Sequence, residues 1–123
     1  MRPKLACSDF TFPLLPHNDV LDLIKMLRVK AVDFGLMHER SHLQPATEFR
    51  NVAKSAKALK RKLDERGLKA SDIFLLPATD EFSMAINNPM PSRRRSAVTV
   101  LSQCCHSAAA PSRLQFKINL KSI

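Results

Sequence analysis

Residues 31–45, AVDFGLMHERSHLQP, constrain the fold of this chain more than any other segment. Large apolar residues alternate with small or polar ones over Ala31–Met37, and this period of two predicts a short strand. A polar cluster at residues 38–42 follows directly. In parallel α/β proteins, ligands bind at the carboxyl ends of the strands, where the loops converge. The segment therefore predicts a strand that places polar groups at a ligand-binding edge.

The flanking sequence predicts two more strands and two helices. A first strand is predicted over residues 4–12, and a third, with a nearly continuous apolar run, over 68–76. An amphipathic helix is expected over 18–28, and a second one begins at Thr47 and ends at Gly67, which supplies a left-handed residue. With strands starting near residues 5, 31 and 69, the spacing predicts right-handed crossovers and a parallel sheet.

Length and composition bound the remaining possibilities. A chain of 123 residues, 45% of them hydrophobic, can form one domain with a core. It has no run of 18 or more apolar residues, so no membrane span is predicted. The three cysteines, Cys7, Cys104 and Cys105, do not suggest a disulfide framework, and an export signal is not indicated. A cytoplasmic location is therefore expected.

The net charge of +9 is unevenly distributed. Residues 1–81 contain 14 basic and 11 acidic side chains, whereas residues 82–123 contain 6 basic and no acidic ones. The change predicts that residues 96–123 are an unrelated or frame-shifted tail, with a helix around 94–105 and poor order beyond Pro111. The run Arg93-Arg94-Arg95 is compatible with a nucleic-acid-binding arm, but no aromatic residue or recognised motif accompanies it, so nucleic acid is not expected as a partner.

Several segments of the sequence resemble those of a known protein family. KLACSDFTFPLLPHNDVLDLIKML, AVDFGLMHERSHLQP, EFRNVAKSAKALKRKLDERGLKASDIFL and the NNP at residues 87–89 are similar to the N-terminal portion of sugar phosphate isomerases/epimerases, the xylose-isomerase-like TIM barrels. The resemblance covers about residues 4–95. It departs from the family pattern at residues 28–31, RVKA, where such proteins usually have glycines. It implies an α/β fold over residues 1–95: a partial (β/α) barrel with three parallel strands and crossover helices, followed by the atypical basic tail.

The resemblance also implies a chemistry. In the complete family, acidic and histidine ligands hold a divalent metal (Mn, Mg, Co or Zn) that assists proton transfer next to a sugar carbonyl. Those ligands come mostly from later strands, so no metal is expected for this chain alone and no catalytic residue is assigned. The loop after the second strand corresponds to a substrate-side loop, which makes Glu39, Arg40 and His42 candidates for contacting a sugar or sugar phosphate. A plain solvated loop is the alternative, and Asp9, near a strand exit, is a weaker candidate.

His38-Glu39-Arg40-Ser41-His42 also matches HExxH, the zinc peptidase motif. Such a site needs both histidines on one face of a stable helix, with the glutamate as general base. Gly35 and Pro45 lie close on either side, and no apolar helical period surrounds the motif. The sequence therefore predicts a loop here and no zinc site.

Three functional hypotheses follow. The first is a truncated member of the sugar phosphate isomerase/epimerase lineage, inactive alone and able to self-associate through unclosed barrel edges. The second is a small basic protein without enzymatic activity that binds nucleic acid through its tail. The third is a zinc hydrolase that uses HExxH at residues 38–42.

Overall fold

A computed structural model describes residues 5–76, 87–109 and 117–118 of the chain. Strands and helices alternate along these residues, and two short 3-10 turns follow the first strand and the second helix. The elements are β1 (Ala6–Ser8), a 3-10 turn (Asp9–Thr11), α1 (His17–Met26), β2 (Ala31–Met37), α2 (Pro45–Glu48), a 3-10 turn (Phe49–Asn51), α3 (Val52–Asp64), β3 (Lys69–Leu76), α4 (Pro91–Ala109) and β4 (Lys117–Ile118).

The strands form one open sheet in the order β1-β2-β3-β4, and each neighbouring pair is parallel. Ala6 of β1 aligns with Ala31 of β2, and Phe34 of β2 aligns with Ile73 of β3. A register irregularity lies between Val32 and Asp33. The structure confirms the predicted α/β class with parallel strands and helices in the connections, and it adds β4, which the sequence did not predict.

The core lies on one face of the sheet. Val32, Phe34 and Leu36 are the alternate residues of β2 that point to this face, and all three are buried. They pack in a single apolar cluster with residues of α1 and α3, among them Ile24 and Leu63. Because strand side chains alternate between faces, the other residues of β2 lie on the opposite face from these two helices. Helices on one face are the arrangement of a (β/α) barrel, whereas doubly wound sheets carry helices on both faces.

The first strand and the first helix are shorter than predicted. β1 ends at Ser8 instead of residue 12, because the chain turns at Asp9, whose carboxylate accepts a hydrogen bond from the Gly35 backbone N–H. α1 begins at His17, directly after Pro16, and the predicted N-cap Asn18 lies inside it. The helix ends two residues before Arg28, which adopts the left-handed conformation with φ 59°.

The predicted second helix is interrupted near its start. Thr47 lies inside α2, and the 3-10 turn at Phe49–Asn51 separates that short helix from α3. The Asn51 side chain caps α3 by accepting a hydrogen bond from the Lys54 N–H at 3.1 Å. Gly67 follows the helix with φ 66°, which confirms its predicted left-handed role.

The tail contributes two elements to the described structure. α4 is longer than the predicted helix at 94–105, and it packs against α3, with Ala97 only 1% exposed. β4 pairs with β3, Lys117 opposite Asp72 and Ile118 opposite Ile73. The predicted poor order beyond Pro111 falls mainly on residues 111–116 and 119–123, which lie outside the described part. No helix within the described ranges is long and apolar enough to cross a membrane.

Gly35 provides a test of how tightly the carboxyl end of β2 is packed. A Cβ atom at this position would lie 2.8 Å from Phe10 Cδ1 and 3.1 Å from Ser41 Cβ. We expect Gly35→Ala to lower the free energy of unfolding by about 1–3 kcal/mol in urea denaturation, since overpacking forces neighbours to move. Phe10→Leu should recover part of this loss in the double variant.

Gly67→Ala is the matched control. A Cβ there meets nothing within 4 Å, so its cost, about 1 kcal/mol, comes from the positive φ alone and Phe10→Leu should not reduce it. Equal effects of Phe10→Leu in both backgrounds would contradict the close contact at Gly35.

Candidate functional site

Three polar side chains cluster at the carboxyl ends of β1 and β2. Asp9 directly follows β1, His17 is the first residue of α1, and His42 lies in the loop after β2. They are 33 positions apart or less in sequence, and they come together because the parallel pairing of β1 and β2 places both strand ends at the same edge of the sheet. We refer to these three residues as the Asp9–His17–His42 cluster.

The two carboxylate oxygens of Asp9 have different environments. Oδ1 accepts the hydrogen bond from the Gly35 N–H at 2.9 Å, and the side chain is completely buried. Oδ2 faces His17 Nε2 at 3.1 Å, which is an ion-pair distance when the imidazole is protonated. Asp9 therefore holds the two strand ends together with one oxygen and contacts His17 with the other.

The imidazole rings of His17 and His42 complete the cluster. Their planes are nearly parallel, 16° apart, with centroids separated by 5.2 Å. The His17 ring also meets Phe34 edge-on at 6.2 Å, and its side chain is 10% exposed. His42 Nε2 is buried without a hydrogen-bond partner.

Backbone and side-chain hydrogen bonds fix the loop that carries His42. Ser41 Oγ accepts from the Met37 N–H at 2.8 Å and donates to the Leu43 carbonyl at 2.7 Å. Gln44 Oε1 accepts from the Glu39 N–H at 2.9 Å, and Glu39 itself takes a left-handed conformation with φ 56°. These hydrogen bonds therefore fix the backbone of the loop, and with it the positions from which its polar side chains extend.

The three candidate residues of this loop are placed differently. His42 turns inward to the cluster. Glu39 is 73% exposed, with its carboxylate 3.7 Å from His38 Nε2, and Arg40 is exposed. The structure does not bring Glu39 or Arg40 into the cluster, so they remain candidates only for a ligand that reaches the outer side of the loop.

Sequence reasoning missed His17 and gave Asp9 too little weight. The available signals were an acidic residue at the end of a predicted strand and a histidine at the start of the next predicted helix, both at the ligand-binding edge of a parallel sheet. No local pattern indicates that the rings of His17 and His42 meet, because they belong to different crossover units.

The HExxH segment does not form the helix that a zinc peptidase requires. Residues 38–42 are a turn followed by a bend, as the sequence predicted. His38 is near Glu39, whereas His42 contacts His17. Among the residues described, no group of three His, Cys, Asp or Glu side chains is placed to hold a metal ion.

No protein-family model, curated protein or solved structure matches this chain.

An apolar cavity of about 140 Å³ lies between the sheet and the segment of α2 and α3. None of the three cluster residues lines it. Its walls come from residues that include Phe34, Leu43, Phe49 and Leu59, with few polar groups. It is a gap in the helix-side packing and is separate from the polar site.

Burial and nearby carboxylates raise the pKa of two side chains near the sheet, Asp33 and Cys7. Burial raises the pKa of Asp33, and the nearby carboxylates of Asp72 and Asp9 raise it further, while a hydrogen bond with Ser71 opposes them. Burial, followed by the charges of Asp33 and Asp9, also raises the pKa of the Cys7 thiol. Cys7 therefore stays protonated and is not suited to act as a nucleophile.

Zinc titration tests the loop geometry at residues 38–42. We expect no stoichiometric, sub-micromolar Zn²⁺ binding at pH 7 that depends on His38, because the two histidines of the motif point to different surroundings and would have to be reorganised. Calorimetry on the wild type and on His38→Ala should give the same result. Tight binding lost in His38→Ala would contradict the loop geometry.

Urea unfolding at several pH values tests the environment of Asp33. Its folded-state pKa is raised, so its ionisation lowers stability as pH rises from the unfolded-state pKa through the folded-state pKa. Asp33→Asn should therefore raise the free energy of unfolding at pH 7 and have little effect below about pH 4.

Asp22 serves as a control because its pKa is shifted in the opposite direction from that of Asp33. A hydrogen bond from Arg66 lowers the pKa of Asp22, so its charged form stabilises the folded state, and this contribution is lost as pH falls through the folded-state pKa. Asp22→Asn should reduce stability at pH 7. If both variants change stability in the same direction at pH 7, the assigned environment of Asp33 is wrong.

Proposed function

We propose that this chain is the N-terminal portion of a barrel of the sugar phosphate isomerase/epimerase lineage and that it has no turnover by itself. The observation that carries the proposal is the arrangement of the described strands: four in sequential parallel order, with polar side chains gathered at the carboxyl ends of β1 and β2. The resemblance of residues 4–95 to that family supplies the reaction class.

The one-sided packing of the helices supports a barrel over the nucleotide-binding doubly wound folds. α1 and α3 share one apolar cluster on one face of β2, and α4 packs beside α3. In a (β/α) barrel every crossover helix lies outside, and the opposite face of the sheet lines the interior. The three strands within residues 4–95 correspond to less than half of such a barrel, which has eight.

The proposed ligand is a sugar or a sugar phosphate bound at the carboxyl ends of the strands. The Asp9–His17–His42 cluster lies at this edge, and Glu39 and Arg40 project from the neighbouring loop. In the family, a divalent ion (Mn, Mg, Co or Zn) assists proton transfer next to the carbonyl. By resemblance its ligands belong to later strands, so this chain supplies groups for substrate contact and no complete catalytic set.

Two further proposals concern partners and location. β1 pairs with β2 alone among the described strands, and an open strand edge can pair with another chain. We therefore expect self-association through unclosed edges. The three cysteines, two of them adjacent, do not indicate a disulfide framework, and we propose a cytoplasmic location because the cytoplasm keeps thiols reduced.

The structure does not favour the two other hypotheses. Arg94 of the basic run donates hydrogen bonds to the carbonyls of Asn88 and Pro89 at the start of α4, so one of the three arginines has a structural role. The HExxH segment lacks the helix that a zinc hydrolase needs.

A turnover assay tests the proposed lack of activity. The purified chain, incubated with a panel of ketoses, aldoses and their phosphates and with Mn²⁺, Mg²⁺ or Co²⁺, should form no epimer or isomer detectable by NMR. The physical reason is that proton transfer needs a positioned base and, in this family, a metal held by groups from several strands. Metal-dependent turnover abolished by His42→Ala or Glu39→Gln would refute this expectation.

Complementation in trans tests the lineage itself. The later half of a xylose-isomerase-like barrel, inactive alone, is mixed with this chain. Formation of a complex with turnover that needs both parts would support the proposal. A well-folded chain that forms no complex with such halves and restores no turnover would count against it.

A further inference from the structure

The apolar cavity between the sheet and the α2–α3 segment results from short side chains on the sheet side of α3. Ser55 and Ala56 line it, at positions where a helix that packs on a sheet usually presents large apolar residues. The sheet residues that also line it, Phe34 and Ile73, are buried. Because the helix does not reach them with large side chains, a space of about 140 Å³ stays unfilled. Protein interiors rarely contain voids larger than a water molecule, so a space of this size is unusual.

The chemistry of the walls suits an apolar molecule better than water. An ordered buried water needs about two to four polar partners. Most of the lining side chains, among them Leu36, Leu43 and Leu59, have no polar atom to offer. In other proteins, apolar cavities of about 150 Å³ stay dry and bind benzene or xenon. The volume and the walls therefore match a small molecule of one or two aromatic rings.

Two side chains of opposite charge line the same cavity. Glu48 is the last residue of α2 and Lys62 lies on α3, and both are half-buried. Neither forms an ion pair with another residue of the described ranges. A charged ligand would be attracted by one of them and repelled by the other. A neutral ligand avoids this repulsion, and its N–H or O–H group can donate a hydrogen bond to the Glu48 carboxylate.

We propose that this cavity binds a small neutral aromatic molecule that carries one N–H or O–H donor. The ring occupies the space between Phe34 and Leu59, and the donor stays beside Glu48. Binding supplies the packing contacts that the short side chains of α3 leave unmade, so it stabilises the contact between helix and sheet. None of the residues of the Asp9–His17–His42 cluster lines the cavity, and the site is therefore separate from the one in the proposed function.

Titration of the 123-residue chain with indole tests the site. The chain contains no Trp and no Tyr, so indole fluorescence can be excited without a signal from the protein. We expect a saturable blue shift of the indole emission with a Kd of about 0.1–1 mM, and its reversal by benzene.

Methyl NMR locates the ligand. Added benzene should shift the methyl resonances of Leu36 and Leu59 in a saturable manner, because ring currents act over short distances and both residues line the cavity. Leu14, which is 96% exposed and lies outside the cavity, should not shift.

Ala56→Leu is the decisive variant, because the added carbons extend into the cavity. It should lower the affinity for indole at least about tenfold. Ala53→Leu is the matched control: it makes the same change on the same helix, at an exposed position that does not line the cavity, and should bind indole like the wild type. Circular dichroism verifies that both variants fold. Ser55→Val, which fills less of the space, replaces Ala56→Leu if that variant does not fold.

Glu48→Ala tests the hydrogen bond at the opening. Loss of the acceptor should weaken indole binding about fivefold and leave benzene binding unchanged, since benzene has no donor. An equal effect on both ligands would refute the role of Glu48.

Three other results would overturn the proposal. The first is the absence of a saturable indole shift, which would mean that the cavity is closed in solution. The second is unchanged indole affinity in Ala56→Leu, which would place the binding elsewhere on the chain. The third is an equal loss of affinity in Ala56→Leu and Ala53→Leu. None of these results depends on turnover or on complementation, so this site and the barrel lineage can fail separately.

Discussion

The hydrogen bond from the Gly35 N–H to Asp9 Oδ1 is the contact on which the carboxyl edge of the sheet depends. It joins residues 26 positions apart, at 2.9 Å, in a buried setting. Because this hydrogen bond holds Asp9 at the end of β2, β1 ends after three residues and the chain turns toward the start of α1. His17 is thereby placed beside the same carboxylate. One side chain thus determines both where the first strand ends and where the polar cluster forms.

Local sequence patterns were sufficient for the elements that bury one continuous face. The bounds of β2 were predicted correctly because its alternation is set by the contact of Phe34 and its neighbours with the helices. The left-handed residue after α3 was also evident, since Gly67 adopts that conformation at little cost. The α/β class follows from the period of two in the strands and the helical period in the segments between them. A helix between two parallel strands leaves few other arrangements.

The errors occurred where a distant or competing contact decides the structure. β1 was predicted too long because the partner of Asp9 lies in another strand. The helix after β2 was predicted as continuous, but the Asn51 side chain accepts a hydrogen bond from the Lys54 N–H and caps the start of a separate helix, α3. The stacking of His17 on His42 and the pairing of Ile118 with Ile73 join residues that no periodicity relates. The polar cluster could therefore be anticipated only in part, through its loop histidine and, as a weaker candidate, Asp9.

The sequential order of the strands has a consequence for how this chain folds. Each strand pairs with the strand that precedes it in the sequence, so β2 and β3 can join the growing sheet in the order in which they are synthesised. The loops to be closed are those of single crossovers, which keeps the entropic cost of each step low. During translation, a β1–β2 pair covered by α1 can form before the residues of β3 have left the ribosome. A fold built in this way grows from its N-terminus by adding one strand and one helix at a time.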